Sequence, residues 1–438
     1  MLRSPNTAGQ EAALQSVESG NNTFITGAGG VGKSYLIDQI RSMNGTAVTS
    51  TTAISAGNVK GVTLNSWAGL GLGLESANRM FTKLSAARKA NIRRADRLVI
   101  DEVSMLHPDL MGKCDDVLQR VRGDDSPFGG LQVIAVGDFF QLPPVETRRG
   151  VDTEYAFECE TWESLDFNFC ELTEMMRQDD EEFQTILNAI RCGELDGVDL
   201  NPLLDTYIES PNYRKGEFTR LSARNKDVDA ENYKILDKLP GESRKFVGDD
   251  SGLDFMLKQC RLPKTIELKV GALCLFLVNG GKLFNGSVVK VIDFHDDGPV
   301  VEDVNSKETF EIMPVKQEVY QGYEKIQVKL TETPEIWEAE DGEQFHESDV
   351  QNGTAVRPKV VASRRSIPLR HAWWMTIHKS QGMGISQLHA HVSSCFAPGH
   401  VYTALSRAHS LKGLTTSEIR SFSVSPQVQK YYKTNQNK

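Results

Sequence analysis

Apolar residues in the first half of the chain fall in short runs, each closed by glycine or acid and followed by a stretch with helical spacing. Asn22–Thr26 (NTFIT) predicts a strand; after a glycine-rich turn, YLIDQI predicts a helix. Arg97–Asp101 (RLVID) and Leu131–Val136 (LQVIAV) repeat the strand pattern. Alternation of this kind belongs to parallel α/β sheets, whose ligand groups gather at the C-terminal ends of the strands. EFTRLSA, KVGALCLFLVN, HAWWMTI and QLHAHVS carry a similar rhythm into the second half. Between about Asp293 and Arg365 the pattern changes. EVYQGYEKIQVKL alternates apolar and polar positions between charged turns, which predicts a small antiparallel β insert. A shorter insert runs from about Ala68 to Asp96, and the tail, SPQVQKYYKTNQNK, predicts a short helix and then a frayed end.

Length and composition narrow the class. With 438 residues the chain has room for roughly two to four domains with proper cores. Its 39% hydrophobic and 25% charged residues are those of a soluble globular protein, and no apolar run is long enough to span a bilayer. MLRSPNTAGQEAALQ has the pattern of neither a secretory signal nor a transit peptide, so cytoplasmic residence is expected. The seven cysteines are scattered and never form C-x-x-C, which argues for buried small apolar side chains rather than a disulfide framework or a zinc site. None of the nine histidines has a metal-ligand spacing.

A net charge of −10 weighs against a protein that coats phosphates, yet net charge is not the field in a groove. Asp179–Glu182 and Glu335–Asp349 read as solvated acidic surface. Arg79, Lys83, Arg88, Lys89, Arg93, Arg94 and Arg97 crowd one short segment, which fits either a basic face or an ordinary solvated helix.

The turn after the first strand reads Gly27-Ala28-Gly29-Gly30-Val31-Gly32-Lys33-Ser34, so strand, G-x-x-x-x-G-K-[ST] and helix follow in the order a phosphate loop requires. Glycines let successive backbone N–H groups face one phosphate, and the helix N-terminus adds partial positive charge. Lys33 is expected to reach the β- and γ-phosphates of ATP and Ser34 to hold Mg²⁺, with Tyr35 ending the run of nucleotide contacts. Asp101, closing RLVID, supports the metal, and Glu102 is placed as the base that orients the attacking water. Gln141, in GDFFQLPPV, is placed to sense the γ-phosphate.

DEVSML (101–106), GDFFQLPPV (137–145), ELTEMMRQ (171–178) and LNAIRCGEL (187–195), taken together, resemble the PIF family of 5′-to-3′ DNA helicases, in the RecD-like branch of superfamily one. The resemblance continues in order through TSTTAISAGNV and TLNSWAGLGLG (49–73), KVGALCLFLVN (269–279), LFNGSVVKVI (283–292), IPLRHAWWMTIHKSQGMGI (367–385) and VYTALSRAHSLKGL (401–414), and spans nearly the whole chain from Gln10. It implies that Gln10 reads the adenine, whereas the residues alone make it a polar position on a helix. It implies that Arg177 and Arg407 are arginine fingers from a second domain, where the residues alone read as surface ion pairs. Single-strand contacts are implied for Thr49, Thr51, Thr52, Trp67, His378 and Lys379. For Trp67 a place in the core competes, and core packing is expected for Trp373 and Trp374.

The fold expected is α/β, with two tandem RecA-like P-loop domains, a small wedge insert and an SH3-like β insert, the two inserts named from the resemblance. Residues 1–175 form the first motor domain with a wedge at 68–96; 176–292 and 366–438 form the second; 293–365 form the SH3-like module. The start of the chain close to its first motif suggests a compact bacterial or phage-type member. Single-stranded, duplex or forked DNA, no membrane and a monomeric state are expected, with 5′-to-3′ polarity implied by the resemblance alone. A P-loop ATPase that never touches DNA, a helicase-nuclease subunit and a translocase that does not unwind are the competing functions.

Overall fold

Each apolar run of the first half becomes a strand of one parallel sheet. The strands are β1 (Thr23–Gly27), β2 (Thr46–Ser50), β3 (Val62–Thr63), β4 (Arg97–Asp101), β5 (Gln132–Val136) and β6 (Asn168–Leu172). Their order is β3-β2-β4-β5-β1-β6, and all neighbours run parallel. This computed structural model describes residues 6–436 apart from 53–54, 57–58, 72, 145–153, 175–179, 209–218, 255, 261, 279–281, 284–286, 305, 332–335, 343, 347–349, 352, 382–383, 386 and 420–422.

β1 lies between β5 and β6 and is buried along its whole length, as a strand covered on both faces must be. Ile25, Val99, Ile134 and Val136 pack with Leu36, Ile37 and Ile40 of α2 (Lys33–Arg41) and with Ala13 and Val17 of α1 (Ala8–Glu18). The start of α1 is fixed by a capping box: Gln10 N–H donates to Thr7 Oγ1, and Thr7 N–H donates back to Gln10 Oε1.

A second parallel sheet is ordered Trp374–Thr376, β7 (Thr219–Ser222), Leu388–His391, Leu414–Thr416. Both sheets belong to one compact unit made of residues 1–81, 92–228 and 374–438. Two parallel sheets in one unit match the α/β, RecA-like expectation.

The tail forms the expected short helix, Pro426–Asn435, and that helix is packed. Tyr431 stacks on Phe157 with centroids 4.3 Å apart, inside an aromatic cluster with Phe24, Phe139, Trp162 and Phe169. Val428 and Tyr432 are buried. A period-3.6 pattern of only ten residues cannot say what its apolar stripe covers.

Residues 82–91 and 229–373 form the other unit, which takes in more of the chain than the expected 293–365. Leu273–Phe276, expected in the second motor sheet, lies instead in an antiparallel five-stranded sheet between Val288–Phe294 and Leu369–His371. A short apolar run marks a buried strand without encoding its direction. That sheet encloses Leu236, Ile266, Cys274, Val289, Val291, Val301 and Leu369. The alternating segment forms the expected antiparallel pairing, as a long hairpin of Val315–Leu330 with Thr354–Ser366. Trp373 packs against the core of this unit, stacked on His371, while Trp374 is buried in the first unit beside His389 and His391. Among the described residues no helix is long and apolar enough to cross a membrane.

Candidate nucleotide site

The C-terminal ends of β1, β4 and β5 bring three loops together, the edge where parallel sheets bind ligands. Beyond β1 the backbone takes positive φ at Gly27 (138°), Gly30 (97°) and Gly32 (86°). At Gly27 a side chain is excluded as well by space, because a Cβ would lie 2.4 Å from the Leu172 carbonyl oxygen. Gly32 caps α2 without a side-chain hydrogen bond, which leaves the helix's first N–H groups directed at the loop. Val31 is buried beneath it, and Ser34 is exposed in the first turn.

Lys33 folds back over the loop and donates to the carbonyls of Gly27 at 2.6 Å and Ala28 at 2.9 Å. Those are carbonyls that a phosphate would displace as partners of the ammonium. Burial pulls its amine below the ordinary lysine range, against the upward pull of Asp138, Glu102 and Asp101. Burial and the neighbouring Glu102 together push the Asp101 acid up to about 8. Two adjacent carboxyls in a dry pocket are what a dication would stabilise. Glu102 adopts a left-handed backbone (φ 52°), an uncommon conformation for glutamate, and opens a single 3₁₀ turn.

The other wall comes from the second sheet. Gln381, in the TIHKSQG run, donates to Glu102 Oε2 at 2.9 Å. The helix His400–Leu405 sets its end against the phosphate loop: Tyr402 OH accepts from Gly29 N–H at 3.2 Å. Arg407 is buried, donates to the Thr403 carbonyl and to Ser406 Oγ at 3.0 Å each, and reaches Gln141 Oε1 at 3.5 Å. Its Nη2 would stand 3.8 Å from a Cβ added to Gly29. Gly399 is pressed onto the Gln141 carbonyl, 2.4 Å from where its own Cβ would sit, at φ 76°. Lys33, Asp101, Glu102, Gln141 and Arg407 are thus gathered at one loop cluster, while Arg177 lies outside the described residues.

Below the pocket is a buried hub that sequence reasoning did not single out. Asp138, fully buried, takes Arg191 Nε at 3.0 Å and Nη2 at 3.1 Å, Tyr402 OH at 3.1 Å and Tyr432 OH at 3.4 Å. Arg191 also meets Glu171 at 3.2 Å and lies over the rings of Phe140 and Tyr432. Burial works to lower the Arg191 guanidinium's pKa, yet Asp138 holds it well above the ordinary value. Asp138 and Arg191 stand in the quoted runs GDFFQLPPV and LNAIRCGEL. Their partnership across 53 residues had no local signal.

Tyr432 ties the tail helix to the pocket: its hydroxyl meets Thr26 Oγ1 in β1 and accepts from Phe139 N–H at 3.3 Å. Tyr432→Phe leaves that buried N–H and Asp138 short of a partner. We expect a loss of about 1–3 kcal/mol in thermal or denaturant unfolding, with the ring packing retained.

Several residues expected at the ligands have partners within the protein. Gln10 is buried with both ends engaged, Oε1 in the capping box and Nε2 on the Val31 carbonyl at 3.3 Å, so it braces the loop from behind. Thr49 is fully buried and donates to the Val99 carbonyl at 2.7 Å, which removes it from any strand surface. Thr51 donates to the Glu102 carbonyl at 2.9 Å, and Thr52 Oγ1 accepts from Ser55 N–H. Thr49 thus ties β2 to β4 and Thr51 ties the exit of β2 to the acidic loop, a role that hydroxyls at strand ends often take. Trp67 and Lys379 are half-buried, and His378 sits edge-on to His400 at 5.5 Å. In the basic segment Arg93 donates to the Val121 carbonyl, Arg97 to Gln132 and the Asn44 carbonyl, and Arg79 pairs with Glu75.

The model of the PIF1-like helicase family matches residues 7–199. The chain is 32% identical over 447 residues to the ATP-dependent DNA helicase Pif1 of a Psychrobacter species, covering 92% of this chain and 67% of that protein. It is 31% identical to the ATP-dependent DNA helicase PIF1 of Emericella nidulans, over 95% of this chain. The chain spans 61% of the length of that relative and of the Xenopus laevis PIF1. Among solved structures, the Pif1 helicase from Candida albicans aligns with a TM-score of 0.82 at 28% identity, covering 99% of this chain and 100% of that one. Bacteroides Pif1 in complex with ADP-AlF3 and ssDNA aligns at 0.81 and 26%, covering 99% and 98%.

Proposed function

The chain belongs to the PIF1-like helicase family, and from that membership we propose that it is an ATP-dependent DNA helicase that moves 5′-to-3′ along single-stranded DNA and unwinds duplex. The observation that carries this reading is the two-sided nucleotide pocket. The phosphate loop and acidic pair come from one parallel sheet, while Gln381, Tyr402 and Arg407 come from the elements of another. Hydrolysis in such a pocket depends on how the two sheets close, so turnover and displacement are linked.

In this reading Lys33 and the loop N–H groups hold the phosphates, Glu102 orients water, Gln141 senses the γ-phosphate and Arg407 neutralises the charge that builds on transfer. Asp101 and the Ser34 hydroxyl are hard oxygen donors of the kind Mg²⁺ prefers, and a bound Mg²⁺ would supply positive charge to the β- and γ-oxygens. ADP–AlF3 and single-stranded DNA, the ligands of the Bacteroides structure, are the ligand classes we assign to this chain. Forked and partial duplexes are the proposed substrates. Both walls of the pocket come from one chain, which supports a monomer as the working unit.

Two partial duplexes test this, one with a 5′ and one with a 3′ single-stranded tail. We expect ATP-dependent opening of the 5′-tailed substrate only, and ATPase strongly raised by single-stranded DNA. Stimulated ATPase without opening would leave a translocase. ATPase indifferent to DNA would overturn the helicase reading in favour of a P-loop ATPase that never meets DNA.

A further inference from the structure

All six residues of the helix His400–Leu405 are buried. At Tyr402 a phenyl ring would fill the same space, so what distinguishes a tyrosine there is its hydroxyl. That hydroxyl accepts from Gly29 N–H at 3.2 Å and donates to Asp138 Oδ2 at 3.1 Å. Burial and the Asp138 carboxylate both push its ionisation up, so it remains a phenol at any working pH. Its two bonds join the phosphate loop to an acid that is itself held fast. Asp138 is fully buried, takes both Nε and Nη2 of Arg191, and accepts from Phe140 N–H at 3.2 Å and from the Tyr432 hydroxyl.

Gly29 is also the loop residue that Arg407 faces. A Cβ added there would lie 3.6 Å from Ser406 Cβ and 3.8 Å from Arg407 Nη2. Between Tyr402 and Arg407 the chain has little freedom: Ser406 N–H donates to the Tyr402 carbonyl at 2.9 Å, and Arg407 Nε donates to the Thr403 carbonyl at 3.0 Å. Any shift of the Tyr402 ring against Gly29 is therefore passed on to the guanidinium. A misplacement of about 1 Å in a catalytic group can cost on the order of 100-fold in rate. Resting on the role given to Arg407 in the helicase reading above, we propose that Tyr402 is a positioning residue, whose hydroxyl registers the turn that carries Arg407 against Gly29, with the buried Asp138–Arg191 pair as the fixed end. The fold leans on that hydroxyl less than the register does. Without it Asp138 keeps Arg191, Phe140 N–H and Tyr432, whereas the bond from helix to loop is lost.

Steady-state ATPase of the full chain, with and without oligo(dT), tests this in Tyr402→Phe, Arg407→Ala and the double variant. Tyr402→Phe alone should lower kcat about tenfold and move the KM for ATP by no more than about threefold. Added to Arg407→Ala it should cause no further loss, because register matters only while there is a guanidinium to place. A kcat equal to wild type overturns the proposal, and so does a loss carried by KM alone. Equal losses in the presence and absence of Arg407 overturn it as well, since the hydroxyl would then serve the loop or the fold directly. Thermal unfolding accompanies the kinetics, and a Tyr402→Phe chain that does not fold makes the hydroxyl a fold contact and ends the proposal. A wild type whose ATPase ignores oligo(dT) overturns the helicase reading, and Tyr402 then stands or falls on the basal rates.

Discussion

Arg407→Ala is expected to lower the rate of ATP hydrolysis about a thousandfold, with nucleotide affinity changed only a few-fold. Arg407 is not needed to build the phosphate loop: its hydrogen bonds go to Thr403, Ser406 and Gln141, and it faces Gly29 across the pocket. A guanidinium so placed adds most where negative charge grows on the transferring group, which lowers the barrier more than it tightens binding. Steady-state kinetics would show the effect in kcat, and Arg407→Lys should recover only a small part, because an ammonium lacks the planar fork. A loss confined to KM would remove Arg407 from the chemistry and make it a binding residue.

Arg191→Ala is expected to cost about 3–5 kcal/mol in denaturant unfolding. The deletion leaves Asp138 fully buried without its cation, and Glu171 loses its partner as well. Because the penalty comes from the stranded charge, Asp138→Asn combined with Arg191→Met should be milder than the sum of the two single changes. The amide keeps an acceptor for Tyr402 and Tyr432, and neither position of the pair carries a charge. Additive losses would show that the ion pair is not the organising contact of the hub.

The phosphate loop was legible because its chemistry is local. Six residues of loop, a strand before and a helix after it fix one geometry, and Lys33 has few places to go. Asp101, Glu102 and Gln141 were legible for a related reason: in a parallel sheet, strand C-termini share one edge, so each strand that is found places a loop. What remained hidden was either pairing at long range or strand direction. Nothing in LNAIRCGEL marks Arg191 as the partner of Asp138. Nothing in KVGALCLFLVN distinguishes a parallel from an antiparallel neighbour, and so Leu273–Phe276 was assigned to the wrong sheet. Thr49 failed differently. A hydroxyl at a strand end can donate to a ligand or to the next strand, and only burial decides; here it is fully covered and donates to Val99.

The hydroxyl contact between Thr26 and Tyr432 spans 406 residues of chain. A ribosome adding about 5–20 residues per second makes the phosphate-loop strand roughly 20–80 s before the helix that seals its aromatic face. Until the tail is made, Phe24, Phe139 and Trp162 lack the ring of Tyr431. The first motor sheet is therefore among the earliest parts synthesised and among the last completed. Nascent chains stalled before residue 426 should be bound by chaperones through that open face and be cut by protease there. The finished chain, once released, should be resistant at the same sites.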